Sequence, residues 1–124
     1  MFQAIFCIAL ASEVGSPMQT PQYLYKVLSL DAWEASGEQL ILSKDDDAFI
    51  HFSRDDQLER ITEKYWADVP AYVILKIDTH LLPGRMVYEA NPGGTNKYYH
   101  LYDGSIPRQA VVEAKIISRA LAQS

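Results

Sequence analysis

Between Asp47 and Gln57 the chain turns from a strand into a helix within a few residues, and that junction limits the fold more than any other stretch. Phe49-Ile50-His51-Phe52 has the apolar character of a strand, with one polar member, His51. Ser53, with Asp56 three residues later, then forms a capping-box-like helix start in which Asp stands in for Glu or Gln. A strand that feeds a helix gathers unpaired backbone N–H groups at one place. His51 and Ser53 both face that place, so the functional pocket is expected there.

A chain of 124 residues can bury one core but not two. The expected organisation is an N-terminal extension over 1–22, one globular domain over 23–118 and a short tail over 119–124. With a net charge of −5 and a pI near 5.0, there is no general basic surface, so nucleic acid is a disfavoured partner. Cys7 is the sole cysteine, which excludes an internal disulfide and a cysteine-based zinc site. Met1 to Ala11 imitates a secretory signal, but no Lys or Arg precedes Lys26 and the segment is too short to span a bilayer. A flexible extension or an early start is the expectation, with a cytoplasmic location and no membrane contact.

Downstream of a Gly- and Pro-containing linker, Tyr23 to Leu28 alternates as a half-buried strand, with Leu24, Lys26 and Leu28 on one face. Ser29 is placed to cap a short helix through Trp33 that Gly37 ends. The acidic run Lys44-Asp45-Asp46-Asp47 lacks the ligand spacing of a calcium loop and reads as a solvated turn. A helix follows Ser53, with Leu58, Ile61 and Tyr65 on one side. Tyr72 to Ile77 suits a central strand covered on both faces. Met86 to Glu89 is expected to pair with that strand, Asn91 to Asn96 to form a loop or lid, and Tyr98 to Tyr102 to form another strand. Val111 to Ile117 reads as a final strand, although its alanines also allow a helix. The fold class is strand-rich α+β with two early helices.

From about Tyr23 to Ile117 the chain resembles a family of small, mostly bacterial proteins known as domain of unknown function 952. The likeness rests on Leu24-Tyr25-Lys26-Val27, Trp33, Ala48-Phe49-Ile50-His51-Phe52-Ser53 with Gln57, Leu75-Lys76-Ile77-Asp78, Tyr88-Glu89 and His100-Leu101-Tyr102. That family is similar in fold to the ADP-ribosyltransferases, and Ile50-His51-Phe52-Ser53 resembles the His-x-Ser strand end of the NAD-using RNA 2′-phosphotransferases. The resemblance implies a split sheet with a cleft for NAD or an ADP-ribose-like ligand. Lys26 departs from the family His, and Ala48 and Asp103 stand where the family tends to have Gly.

Candidate ligand-binding residues are therefore Lys26, Trp33, His51, Ser53, Gln57, His100 and Tyr102, with Glu89 and His51 as the catalytic pair. A strand-borne Glu89 would hold the ribose 2′-hydroxyl and stabilise the cationic charge that develops as nicotinamide leaves; the competing role is a charge guarding an edge strand. His51 would bond ribose or phosphate, or be tied into the junction. Ser53 would be chiefly the helix cap. His100, with Tyr99 and Tyr102, would form a second wall, with core packing as the competing role for Tyr102. No spacing suits a metal; the ligand the resemblance implies is a nucleotide or other small molecule, NAD serving as substrate, and an RNA 2′-phosphotransferase activity is opposed by the acidic charge. The alternative is a non-catalytic module for a nucleotide or a protein partner.

Overall fold

The computed structural model describes residues 20–118. Most of the expected N-terminal extension, including the signal-like run and Cys7, and the tail from 119 lie outside them. β1 (Tyr23–Ser29) buries Leu24, Lys26 and Leu28 on one face, as its alternation required. Ser29 ends the strand and caps α1 (Leu30–Ala35), its Oγ accepting the Ala32 N–H at 3.1 Å. β2 (Ile50–Phe52) is followed by a 3-10 turn at Asp55–Gln57 that leads into α2 (Leu58–Tyr65). Then come β3 (Ala71–Asp78), β4 (Arg85–Ala90), β5 (Lys97–Tyr102) and β6 (Val111–Ser118). Among the described residues no helix is long and apolar enough to cross a membrane.

The strands form two antiparallel three-stranded sheets, β1-β3-β6 and β2-β5-β4. β3 is central, as its apolar run demanded. β4, however, pairs with β5 and not with the strand before it. The reason is occupancy: both edges of β3 are already taken, by β1 and β6, so β4 finds its partner in the other sheet. The split-sheet expectation therefore holds in its coarse form, a strand-rich α+β fold of two small sheets.

The sheets touch through one bridge, in which Tyr25 and Ser53 exchange backbone hydrogen bonds of 2.8 and 2.9 Å. That bridge occupies Ser53, which was expected to cap α2. The 3-10 turn ahead of α2 is capped at Arg54, and it is Gln57, the N-cap residue of α2 itself, that reaches back, its Oε1 accepting the Arg54 N–H at 2.9 Å. Both sheets then contribute to one core, with Leu24, Val73, Leu75 and Ile77 from the first and Ile50, Phe52 and Leu101 from the second. Of the expected apolar face of α2, Tyr65 is exposed while Leu58 and Ile61 are half-buried.

Candidate functional site

Period-two alternation sorts β2 cleanly. Ile50 and Phe52 turn into the core, while His51, and Phe49 just before the strand, fall on the opposite parity. His51 stands directly across from His100 in β5, which in turn stands across from Val87 in β4. Glu89, one pleat along β4, is thus the diagonal neighbour of His100, within reach of its side chain. Tyr102 lies on the same face of β5, one pleat beyond His100. Four residues singled out in the sequence, His51, Glu89, His100 and Tyr102, are brought onto one face in this way.

Their contacts form two linked networks. Glu89 Oε2 accepts from the Tyr102 hydroxyl and from His100 Nδ1, the latter at 2.8 Å. His100 is fully buried, with Phe49 stacked on its ring at 4.1 Å between centroids. Its Nε2 lies 2.9 Å from the Asn91 side-chain amide, which by a half turn offers either an oxygen or an NH2 group. Burial lowers the His100 pKa, against the raising influence of Glu89. The Tyr102 hydroxyl and His100 hold the Glu89 carboxyl below the usual range, and the same hydrogen bond raises the Tyr102 phenol. Glu89 is therefore an anion near neutral pH, with a side chain still 35% exposed.

The second network is built on Asp46. Its Oδ1 accepts from Lys26 Nζ at 2.9 Å, from the His51 backbone N–H at 3.0 Å and from His51 Nδ1 at 3.0 Å. Lys26 also donates to the His51 carbonyl at 2.9 Å, satisfying a part-buried backbone acceptor. A carboxylate only accepts, so Nδ1 carries the His51 proton, and Nε2 has no protein partner among the described residues. Desolvation pushes the Asp46 carboxyl up, yet the His51 and Lys26 contacts outweigh it and bring the pKa down to about 2. Burial lowers the Lys26 pKa, with Asp46 opposing.

Asp46 corrects the sequence reading of the acidic run as a solvated turn. Asp45 and Asp47 are exposed, but the Asp46 side chain is only 4% exposed. No local pattern distinguishes one aspartate among three; the usable signal was Lys26, a cation on the apolar face of β1 that requires a counter-charge. Phe49 and Asn91 were likewise absent from the expected site, although the parity of residues 49 and 51 marks the first. Tyr99, expected beside His100, alternates into the core and meets Tyr88 at 4.6 Å. Tyr102, for which core packing was the competing role, faces Glu89. Arg85 adds positive charge nearby, its guanidinium 5.0 Å from the Tyr102 ring centroid.

The other candidates do not open onto this face. Lys26 is buried, with its ammonium turned to Asp46 and the His51 carbonyl. Gln57 is neither exposed nor open to a cleft: it is buried, and its Nε2 donates to the Lys97 carbonyl at 2.9 Å, tying the start of α2 to β5. Trp33 packs on the core beneath the Arg108 guanidinium, 4.2 Å from its ring centroid. Ser53 is buried at the inter-sheet bridge. Beside the cluster, a cavity of about 220 Å³ opens between Lys64 and Tyr65 on one side and the Asn91–Asn96 loop on the other.

Residues 27–114 match the model of the family described as Protein of unknown function (DUF952). The chain belongs to that family. Its match takes in β2, β4 and β5, and hence every residue of the His100 and His51 networks except Lys26, one position before it begins. This DUF952 chain is also similar to the crystal structure of protein CC0527 from Caulobacter crescentus, with a TM-score of 0.65 at 26% identity over 76% of this chain and 84% of that one. A double mutant of CC0527 gives a TM-score of 0.64 at the same identity and coverage. No curated protein matches the chain. In the same DUF952 chain, Asp103 has a left-handed backbone at φ 55°. Asp tolerates that region better than most residues.

Proposed function

We propose that this chain binds NAD or a related ADP-ribose-bearing nucleotide on the face formed by Phe49, His51, Glu89, His100 and Tyr102, with ADP-ribosyl transfer as its chemistry. The observation that carries the reading is Glu89: an ionised carboxylate gripped by a phenol and a buried imidazole, yet still open to solvent. A ribose hydroxyl needs such a fixed acceptor, and so does the oxocarbenium-like charge that grows as nicotinamide departs. The grip removes the freedom the carboxylate would otherwise lose on binding. His51, oriented through Nδ1 by Asp46, would present Nε2 to a ribose or acceptor hydroxyl. Arg85 supplies charge suited to a pyrophosphate. Two three-stranded sheets joined by one bridge are in keeping with the likeness to ADP-ribosyltransferase folds.

Incubation of the full chain with NAD should release nicotinamide, and Glu89→Gln should abolish that release while leaving the circular dichroism spectrum unchanged. Absence of release by the folded wild type, with arginine-, cysteine- and nucleic-acid-bearing acceptors supplied, would refute transfer. A second reading, a non-catalytic nucleotide or protein-binding module, is favoured by Lys26. Its ammonium faces the interior, where a ribose cannot meet it. Under that reading ligand binding survives Glu89→Gln.

A further inference from the structure

β6 ends its sheet, and among the described residues no strand pairs with its outer edge. Protein edges of this kind are usually blunted by proline, by charge, by a bulge or by a covering element. Here Val112 is 51% and Ile116 55% exposed. No proline interrupts Val111–Ser118. The two charges present are arranged symmetrically: Glu113 and Lys115 flank Ala114, with Val111-Val112 before them and Ile116-Ile117 after. Val-Val-Glu-Ala-Lys-Ile-Ile is thus a chemical palindrome, in which reversal lays apolar on apolar and acid on base.

We propose that β6 is a homodimer interface, pairing antiparallel with β6 of a second copy about a two-fold axis at Ala114. An isologous contact requires one surface to complement itself, and a palindrome in charge does so. In this register Glu113 lies across from Lys115 of the partner subunit, and Val112 across from Ile116 of the partner subunit, each pair occurring twice. Within its own sheet Glu113 already stands beside Lys76, so charges of alternating sign run across three neighbouring strands. On the other face Ala114 and Ile116 stand beside the core residues Leu75 and Val73, and pairing extends that apolar strip across the axis. The register shift at Lys76/Ile77, a bulge that leaves Val112 without a β3 partner, lies at the end of this pairing, outside the central Glu113-Ala114-Lys115. A strand from an unrelated protein would satisfy the backbone but has no reason to match this symmetric charge order.

Sedimentation equilibrium of the full chain tests the pairing. The wild type should dimerise. Ile116→Lys, which puts a charge into an exposed strip, should give a folded monomer. Glu113→Lys places like charges across the axis twice and should raise the dimer dissociation constant at least about tenfold. Adding Lys115→Glu to that variant should restore dimerisation, and mixing the two single variants should give a heterodimer in preference to either homodimer. A wild type that stays monomeric to the limit of solubility, or a dimer indifferent to both Ile116→Lys and the charge swap, would overturn the proposal.

Discussion

The two histidine–carboxylate pairs on this face are inversions of each other. In one the carboxylate is buried and the imidazole half-open: the Asp46 side chain is 4% exposed and that of His51 37%. In the other the imidazole is buried and the carboxylate half-open, at 0% for His100 and 35% for Glu89. The difference follows from what anchors each. Asp46 answers a buried lysine, and a buried cation without a partner is among the costliest arrangements in a protein. His100 answers to strand parity and to the Phe49 ring laid over it, which place it in a central strand with its Nδ1 directed at Glu89. A buried charge thus holds an imidazole outward, while a buried imidazole holds a charge outward. Stability should concentrate in the first pair and ligand recognition in the second.

Breaking the first pair should have the largest effect on stability. Asp46→Ala leaves Lys26 buried without its counter-charge and should cost about 3–5 kcal/mol in chemical denaturation. The same pair predicts an acid transition. The Asp46 pKa is near 3.8 when unfolded and about 2 when folded. A carboxyl depressed by folding stabilises the fold above its unfolded pKa, so this contribution is complete above about pH 5 and is lost as pH falls through 4 toward 2. From that difference it amounts to roughly 2 kcal/mol, and Asp46→Asn should flatten the stability profile over that window.

Breaking the second pair should invert the outcome. Glu89→Gln should leave the denaturation midpoint nearly unchanged while weakening ADP-ribose binding at least about tenfold, because hydrogen bonds to a charged acceptor are the stronger kind. Loss of stability without loss of binding would erase the distinction between the pairs. The smallest effect is expected at Asp103, beside Tyr102. Asp103→Gly relieves a left-handed backbone at some entropic cost, and should shift stability by no more than about 0.5 kcal/mol without altering binding.

Much of this arrangement was legible in the sequence where short-range rules govern it. The alternation of Tyr23 to Leu28 placed Lys26 on the buried face, the apolar run Tyr72 to Ile77 marked the central strand, and Ser29 capped its helix. Residues whose surroundings are set by distant strands were less readable. The partner of β4 depended on which strands had already closed both edges of β3. Tyr99 and Tyr102 look alike in sequence, and only the register of β5 sends the first to the core and the second to Glu89. Asp46 was hidden because its burial comes from a lysine twenty residues earlier.

The most direct test is an imidazole nitrogen NMR titration of the full chain with ADP-ribose. The chain has three histidines, and the exposed ring of His80, outside the cluster, serves as an internal reference. Saturable shifts at His51 and His100, with His80 unmoved, are the predicted result. Saturating ADP-ribose that leaves both His51 and His100 unshifted would contradict the assignment of this face to a nucleotide.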